Sequence, residues 1–126
     1  MARIAPFEIH HEQYEQWFER HSAAYISELL ALRPVVPWQG RGIEIGIGTG
    51  RFAAPLGVRV GVDPSAQMLA KAARRGVEVV AGTAEALPFT AGSFDYALVV
   101  TTICFVDSPR TMMAEAHRVL VPAGGS

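Results

Sequence analysis

Three glycines at alternate positions, Gly46, Gly48 and Gly50, follow directly on a short apolar run, Gly42 to Ile45. A backbone without side chains at every second residue can turn sharply and approach a ligand closely. Open parallel sheets place such a bend straight after a strand, at the carboxyl edge where they bind ligands. The sequence after Gly40 has the texture such a sheet needs. Strands are predicted at Gly42 to Ile45, at Val58 to Val62 ending at Asp63, at Val77 to Ala81, and at Phe94 to Thr101. Between the first two, a brief helical segment around Arg51 to Ala54 is expected to be closed by Pro55 and Gly57. A second helix is expected with Pro64 in its first turn, Met68, Leu69 and Ala72 on its apolar face, and Gly76 at its end. A third starts near Ser108, with Pro109 in its first turn and Met112, Met113, Ala116, Val119 and Leu120 facing inward. This alternation predicts an α/β fold, a parallel sheet with helices on both faces.

The first third, up to about Arg33, reads as helix. Tyr14, Trp17, Phe18, His21, Tyr25 and Leu29 recur at steps of three and four with glutamates mostly between them, and Pro34 and Pro37 end the pattern. With 126 residues, half of them hydrophobic, the chain suits one domain with a single core. A net charge of −1 gives no broad electrostatic case for nucleic acid or an anionic membrane as partner. One cysteine, Cys104, cannot close an internal disulfide. The N-terminus carries no apolar h-region, and Tyr96 to Val106 falls far short of the roughly 20 residues needed to span a bilayer. A soluble cytoplasmic protein is expected.

In the stretch E-I-G-I-G-T-G, Glu44 to Gly50, an acid opens the bend; a second acid, Asp63, lies at the end of the next strand about 20 residues on. A carboxylate there can accept two hydrogen bonds from a ribose diol. Dinucleotide binding is disfavoured. From Gly46 the G-x-G-x-x-G pattern requires glycine where Arg51 stands. From Gly48 the variant ending at Ala53 fits, but it leaves too short a step to Asp63 and a helix truncated by Pro55.

These residues resemble the class I S-adenosylmethionine-dependent methyltransferases of the small-molecule type, over about Gly40 to Gly125. E-I-G-I-G-T-G resembles the family's first motif, and G-V-D-P-S, Gly61 to Ser65, the second. G-T-A-E-A-L-P-F, Gly82 to Phe89, resembles the adenine-binding segment. S-F-D-Y-A-L-V-V from Ser93 resembles the fourth strand, and R-V-L-V-P-A-G-G from Arg118 the turn before the fifth. The resemblance implies S-adenosylmethionine as cofactor, with S-adenosylhomocysteine as product. It implies a helical cap over residues 1–39 and a Rossmann-like cofactor half over 40–126, incomplete relative to the family's seven strands. Glu44 would answer the positive amino-acid end, backbone groups from Ile45 and Gly46 through Ile47 to Gly48 would reach its carboxylate and amine, and Gly50 would complete the bend. Asp63 would take the ribose hydroxyls, and Pro64 and Met68 would pack on adenine. The backbone N–H of Ala84, with Glu85 beside it, would read the adenine edge; Thr83 stands where the family often has aspartate, a weaker acceptor for the amino group. Thr101, with Thr102, would line the pocket.

Simpler roles stand beside these. Glu44 is otherwise a surface acid, Asp63 a helix cap before Pro64, and Thr101 and Thr102 strand caps. Asp95, at the far end of its strand, is read as structural, and Cys104 as a small apolar residue. Tyr14 and Trp17 are core or ligand lid. The histidines share no metal spacing, so no metal is expected.

Methyl transfer from a sulfonium needs positioning and a dry site more than an acid–base pair, which accounts for the lack of an obvious catalytic constellation. The run Val99 to Thr102, V-V-T-T, is unlike the N-P-P-Y run of enzymes that methylate exocyclic amines of nucleic acid, so a small-molecule acceptor is expected. A non-catalytic S-adenosylmethionine- or S-adenosylhomocysteine-binding module is the alternative, and an NAD-type oxidoreductase a weaker one. In the family's 3-2-1-4 order the fourth strand would be an open apolar edge. Residues beyond Ser126 or a homo-oligomer through that edge are therefore expected.

Overall fold

The computed structural model describes residues 16, 19–100 and 106–122. The predicted helical positions Tyr14, Trp17 and Phe18, and Thr101, Thr102 and Cys104, lie outside the described residues. In chain order the elements are α1 (Ser22–Leu32), β1 (Gly42–Ile45), α2 (Ala53–Leu56), β2 (Val60–Asp63), α3 (Ala66–Arg74), β3 (Glu78–Ala81), β4 (Tyr96–Leu98) and α4 (Pro109–Val119). The sheet order is β3-β2-β1-β4, every pair parallel. β1 and β2 are buried along their whole length, as central strands of a two-sided sheet must be, whereas β3 is partly exposed at the edge.

Alternation along the strands splits the core in two. Ile43, Ile45, Val60 and Val62 face α4 and pack with Phe94, Met112 and Val119. On the other face, Ile47, Phe52, Leu56, Leu69, Ala72 and Leu98 form a second cluster, onto which Tyr25, Leu29 and Leu32 of α1 pack. Gly61 makes room for this second layer: a Cβ there would lie 2.1 Å from Ile47 Cδ1. Both faces are covered, as expected of a Rossmann-like sheet.

Several local expectations are corrected. Pro55 lies inside α2 rather than ending it, because the first turn of a helix asks nothing of its N–H; Gly57, at φ 76°, makes the stop. Pro64 precedes α3 instead of opening it, and the cap is Ser65, whose hydroxyl accepts from Met68 N at 3.2 Å. β4 is shorter than Phe94 to Thr101, because Phe94 pairs outward with the chain returning from α4: Phe94 N–H donates to Val119 O (2.9 Å) and Val121 N–H to Phe94 O (2.8 Å). Met113 is 56% exposed and lies off the buried face of α4, which Met112, Ala116 and Val119 fill. Asp95 is structural, as expected: its Oδ2 accepts from Arg41 N at 2.7 Å.

Candidate functional site

The carboxyl ends of β1, β2 and β3 bring the sequence-predicted residues to one edge of the sheet. Gly46, Gly48 and Gly50 have φ of 75°, 58° and 82°, three left-handed turns at alternate residues that only glycine adopts without strain. Their N–H groups are consumed within the protein. Gly46 N and Ile47 N both donate to Val62 O (2.8 and 3.0 Å), and Gly50 N donates to Ile47 O at 3.1 Å. Gly48 N donates to Asp63 Oδ2 at 3.0 Å. The N–H groups of Gly46, Ile47 and Gly48 thus shape the bend itself. Ile45 points its side chain into the α4-side core.

Asp63 closes the bend from β2. It is 5% exposed, and its second oxygen accepts from Ser65 N at 2.9 Å, two residues into the turn before α3. As a helix cap it is superseded by Ser65. Glu44 is 2% exposed, on the face that carries α1, α2 and α3. The Ala53 N–H donates to its carboxylate, while Oε1 has no hydrogen-bond partner. Burial pushes this carboxyl well above the usual carboxylate range; the Ala53 N–H pulls against the shift and the nearby charge of Asp63 adds to it. The surface-acid reading of Glu44 is thereby excluded. Thr49 Oγ1, also buried, is likewise without a partner.

The remaining positions sit around this centre. Pro64 is half-buried and Met68 fully buried beneath the start of α3. Thr83 pairs with Ala86 across a tight turn, and Ala84 is turned into the core. Glu85 Oε2 accepts from Ser108 N at 2.9 Å, so this carboxylate holds the start of α4. Sequence reasoning missed the clasp that holds this segment. Arg118 donates to Phe89 O (2.8 Å) and Leu87 O (3.0 Å), while Glu115 accepts from Leu87 N (2.8 Å) and pairs with Arg118 at 2.7 Å. An acid and an arginine three apart on α4 were the available signal. Among the described residues, no group of three or more His, Cys, Asp or Glu side chains could hold a metal ion, and no helix is long and apolar enough to cross a membrane.

A parallel sheet in this order, with a glycine bend after β1 and an acid ending β2, is a Rossmann-like arrangement. A family model described as "Methyltransferase domain" matches residues 43–125. An S-adenosylmethionine-dependent methyltransferase of Thermotoga maritima, described as a possible histamine N-methyltransferase, superposes with a TM-score of 0.90 at 54% identity, covering 94% of this chain and 56% of that one. The YcgJ protein of Bacillus subtilis superposes at 0.65 with 26% identity, over 82% of this chain and 48% of that one. An uncharacterized protein of Methanocaldococcus jannaschii is 42% identical over 118 residues, 94% of this chain and 57% of its own length. One from Mycobacterium tuberculosis is 42% identical over 115 residues, 89% of this chain and 40% of its own. The chain belongs to the S-adenosylmethionine-dependent methyltransferase family. It spans about half the length of the curated relatives it matches.

Proposed function

We propose that the bend between β1 and α2 binds S-adenosylmethionine, and that the chain forms the cofactor-holding part of an enzyme methylating a small-molecule acceptor by in-line displacement. The observation that carries this reading is the chemistry left facing the bend. The N–H groups of Gly46, Ile47, Gly48 and Gly50 are engaged internally, and two carboxylates, Glu44 and Asp63, are buried there. A pyrophosphate needs free donors, which the bend does not offer; a cationic group gains from an acceptor such as Glu44 Oε1. Arg51, the nearest base in sequence, is turned onto Glu19 at 3.7 Å.

In this reading Glu44 Oε1, buried without a partner, takes the ammonium of the cofactor's amino-acid end. Asp63 keeps its two backbone donors and uses remaining lone pairs for the ribose hydroxyls. Pro64 flanks the adenine with Met68 packed beneath it, and the segment from Thr83 to Glu85 lies along its edge. Thr101 stands as a candidate on the sequence pattern alone. When bound, the sulfonium supplies an already activated methyl group, so the chain's own contribution is orientation and exclusion of water. A second reading is a module that binds the cofactor without transfer.

Calorimetry with S-adenosylhomocysteine and with NAD tests the ligand class: saturable binding of the first alone is expected, and binding of NAD alone would overturn the reading. Methyl release onto a panel of small acceptors then separates enzyme from module. Because histamine is named for the Thermotoga relative, small amines head that panel. The outer edge of β4 is a further candidate surface. The Phe94–Leu120 bridge already sets a parallel neighbour beside it, and a second copy would extend the sheet there. A monomeric mass in solution would exclude that pairing.

A further inference from the structure

Between the glycine bend and β2, one backbone acceptor lacks its usual donor. Gly50 O accepts from Ala54 N at 3.1 Å and Phe52 O accepts from Leu56 N at 3.2 Å, the ordinary helical pattern. The carbonyl between them, that of Arg51, would look to residue 55, which is proline and has no N–H. The hydroxyl of Tyr25, from the first turn of α1, donates to this carbonyl instead. Around that bond the Tyr25 ring meets Phe52 edge-on at 5.6 Å, and Glu19 pairs with Arg51 at 3.7 Å. At the other end of α2, Arg33 Nη1 donates to Leu56 O at 3.1 Å. α1 itself has no fully buried residue, so these contacts with residues 51–56 are a large part of what it does.

We propose that Tyr25 is a positioning residue: its hydroxyl replaces the amide that Pro55 cannot supply, and so fixes the glycine bend for cofactor binding without touching the cofactor. The inference rests on the ligand reading given above and adds a part for α1 in it. Arg51 directly follows Gly50, and the Ala53 N–H just beyond it holds the Glu44 carboxylate. A shift of the Arg51 peptide therefore moves both the bend and its acid.

The test uses the whole chain with Tyr25→Phe, the double variant Tyr25→Phe/Pro55→Ala, and Leu29→Ala as a packing control. Two readouts are taken: affinity for S-adenosylhomocysteine, and amide exchange at Gly48 and Gly50. Tyr25→Phe is expected to weaken affinity about threefold to tenfold, the size of one net hydrogen bond, and to speed exchange at both glycines. Pro55→Ala returns an N–H to Arg51 O and is expected to restore both. Leu29→Ala should lower the melting temperature while leaving exchange in the bend near that of the parent. Unchanged exchange in Tyr25→Phe, or no recovery in the double variant, would overturn the positioning role. If the unsubstituted chain binds no S-adenosylhomocysteine, the ligand reading fails and the cofactor role of Tyr25 with it; exchange and its rescue still decide whether Tyr25 fixes the bend.

Discussion

Asp63 and Gly48 are joined across the top of the sheet by a 3.0 Å hydrogen bond from the glycine N–H to the carboxylate. The other carboxylate oxygen holds Ser65 N at 2.9 Å, so one side chain fixes both the glycine bend and the turn into α3. Asp63→Asn keeps the shape but turns an NH2 group toward one of the two donors. We expect a loss of about 1.5–3 kcal/mol, the range for hydrogen bonds to a charged group, measured by urea denaturation, with loss of S-adenosylhomocysteine affinity by calorimetry. Asparagine that binds and unfolds like the parent would dissociate Asp63 from the site.

Glu44 sets a pH dependence of definite sign. Burial raises its folded carboxyl above the ordinary value of 4.5, so the native state holds a proton that the unfolded chain releases. Its contribution is full below the unfolded value and is lost as pH rises through the folded value, at about 1.4 kcal/mol per pH unit across that window. Glu44→Gln should flatten this slope and be more stable than the parent above the window, while losing affinity for the cationic ligand. Melting curves at a series of pH values decide it; parallel profiles for the two proteins would refute the assignment.

Glu115 carries the opposite sign. The hydrogen bond from Arg118 chiefly holds its carboxyl below the usual range; burial opposes it, and the Leu87 N–H and the Arg118 charge add to the lowering. The clasp therefore stabilises the fold above the unfolded value and is lost as pH falls through the lowered one. Arg118→Met should remove this acid limb and quicken amide exchange at Leu87. Exchange at that amide identical to the parent's would show that the clasp is dispensable.

Gly61 is required for space. Its added Cβ would meet Ile47 at 2.1 Å from Cδ1 and 2.8 Å from Cβ. Gly61→Ala is expected to cost about 1–3 kcal/mol through overpacking. Combined with Ile47→Ala it should cost less than the two single changes summed, because the crowding end of the isoleucine is gone. Strict additivity in a denaturation cycle would count against the contact.

The strand alternation, the bend and its acid could be read from residue order because each depends on local chemistry: glycine at alternate positions, β-branched runs, a carboxylate at a strand end. The sheet order and the ligand class came instead from resemblance. Features that depend on distant partners escaped. Pro64 outweighed Ser65 as a helix-start signal because the hydroxyl's bond to Met68 N is visible only once the turn is formed. Phe94 reads as strand, yet its partner Leu120 lies on the far side of α4 in sequence. The motif around Ala84 and Glu85 does not show that the Glu85 carboxylate holds Ser108 N or that the Ala84 methyl fills the core. The Tyr25–Arg51 bond could be inferred only by noticing a proline at position 55 and then knowing which hydroxyl lay above it.

β1 pairs on one side with β2, close behind it in the chain, and on the other with β4, Gly42 standing opposite Tyr96. On a ribosome, then, the first three strands emerge and can align well before the fourth is synthesised. Until it arrives, the inner flank of β1 is an unpaired apolar ribbon, with Gly42 bare where the Tyr96 ring will sit. An unpaired strand flank is a template for mispairing, and the docking of β4 covers it.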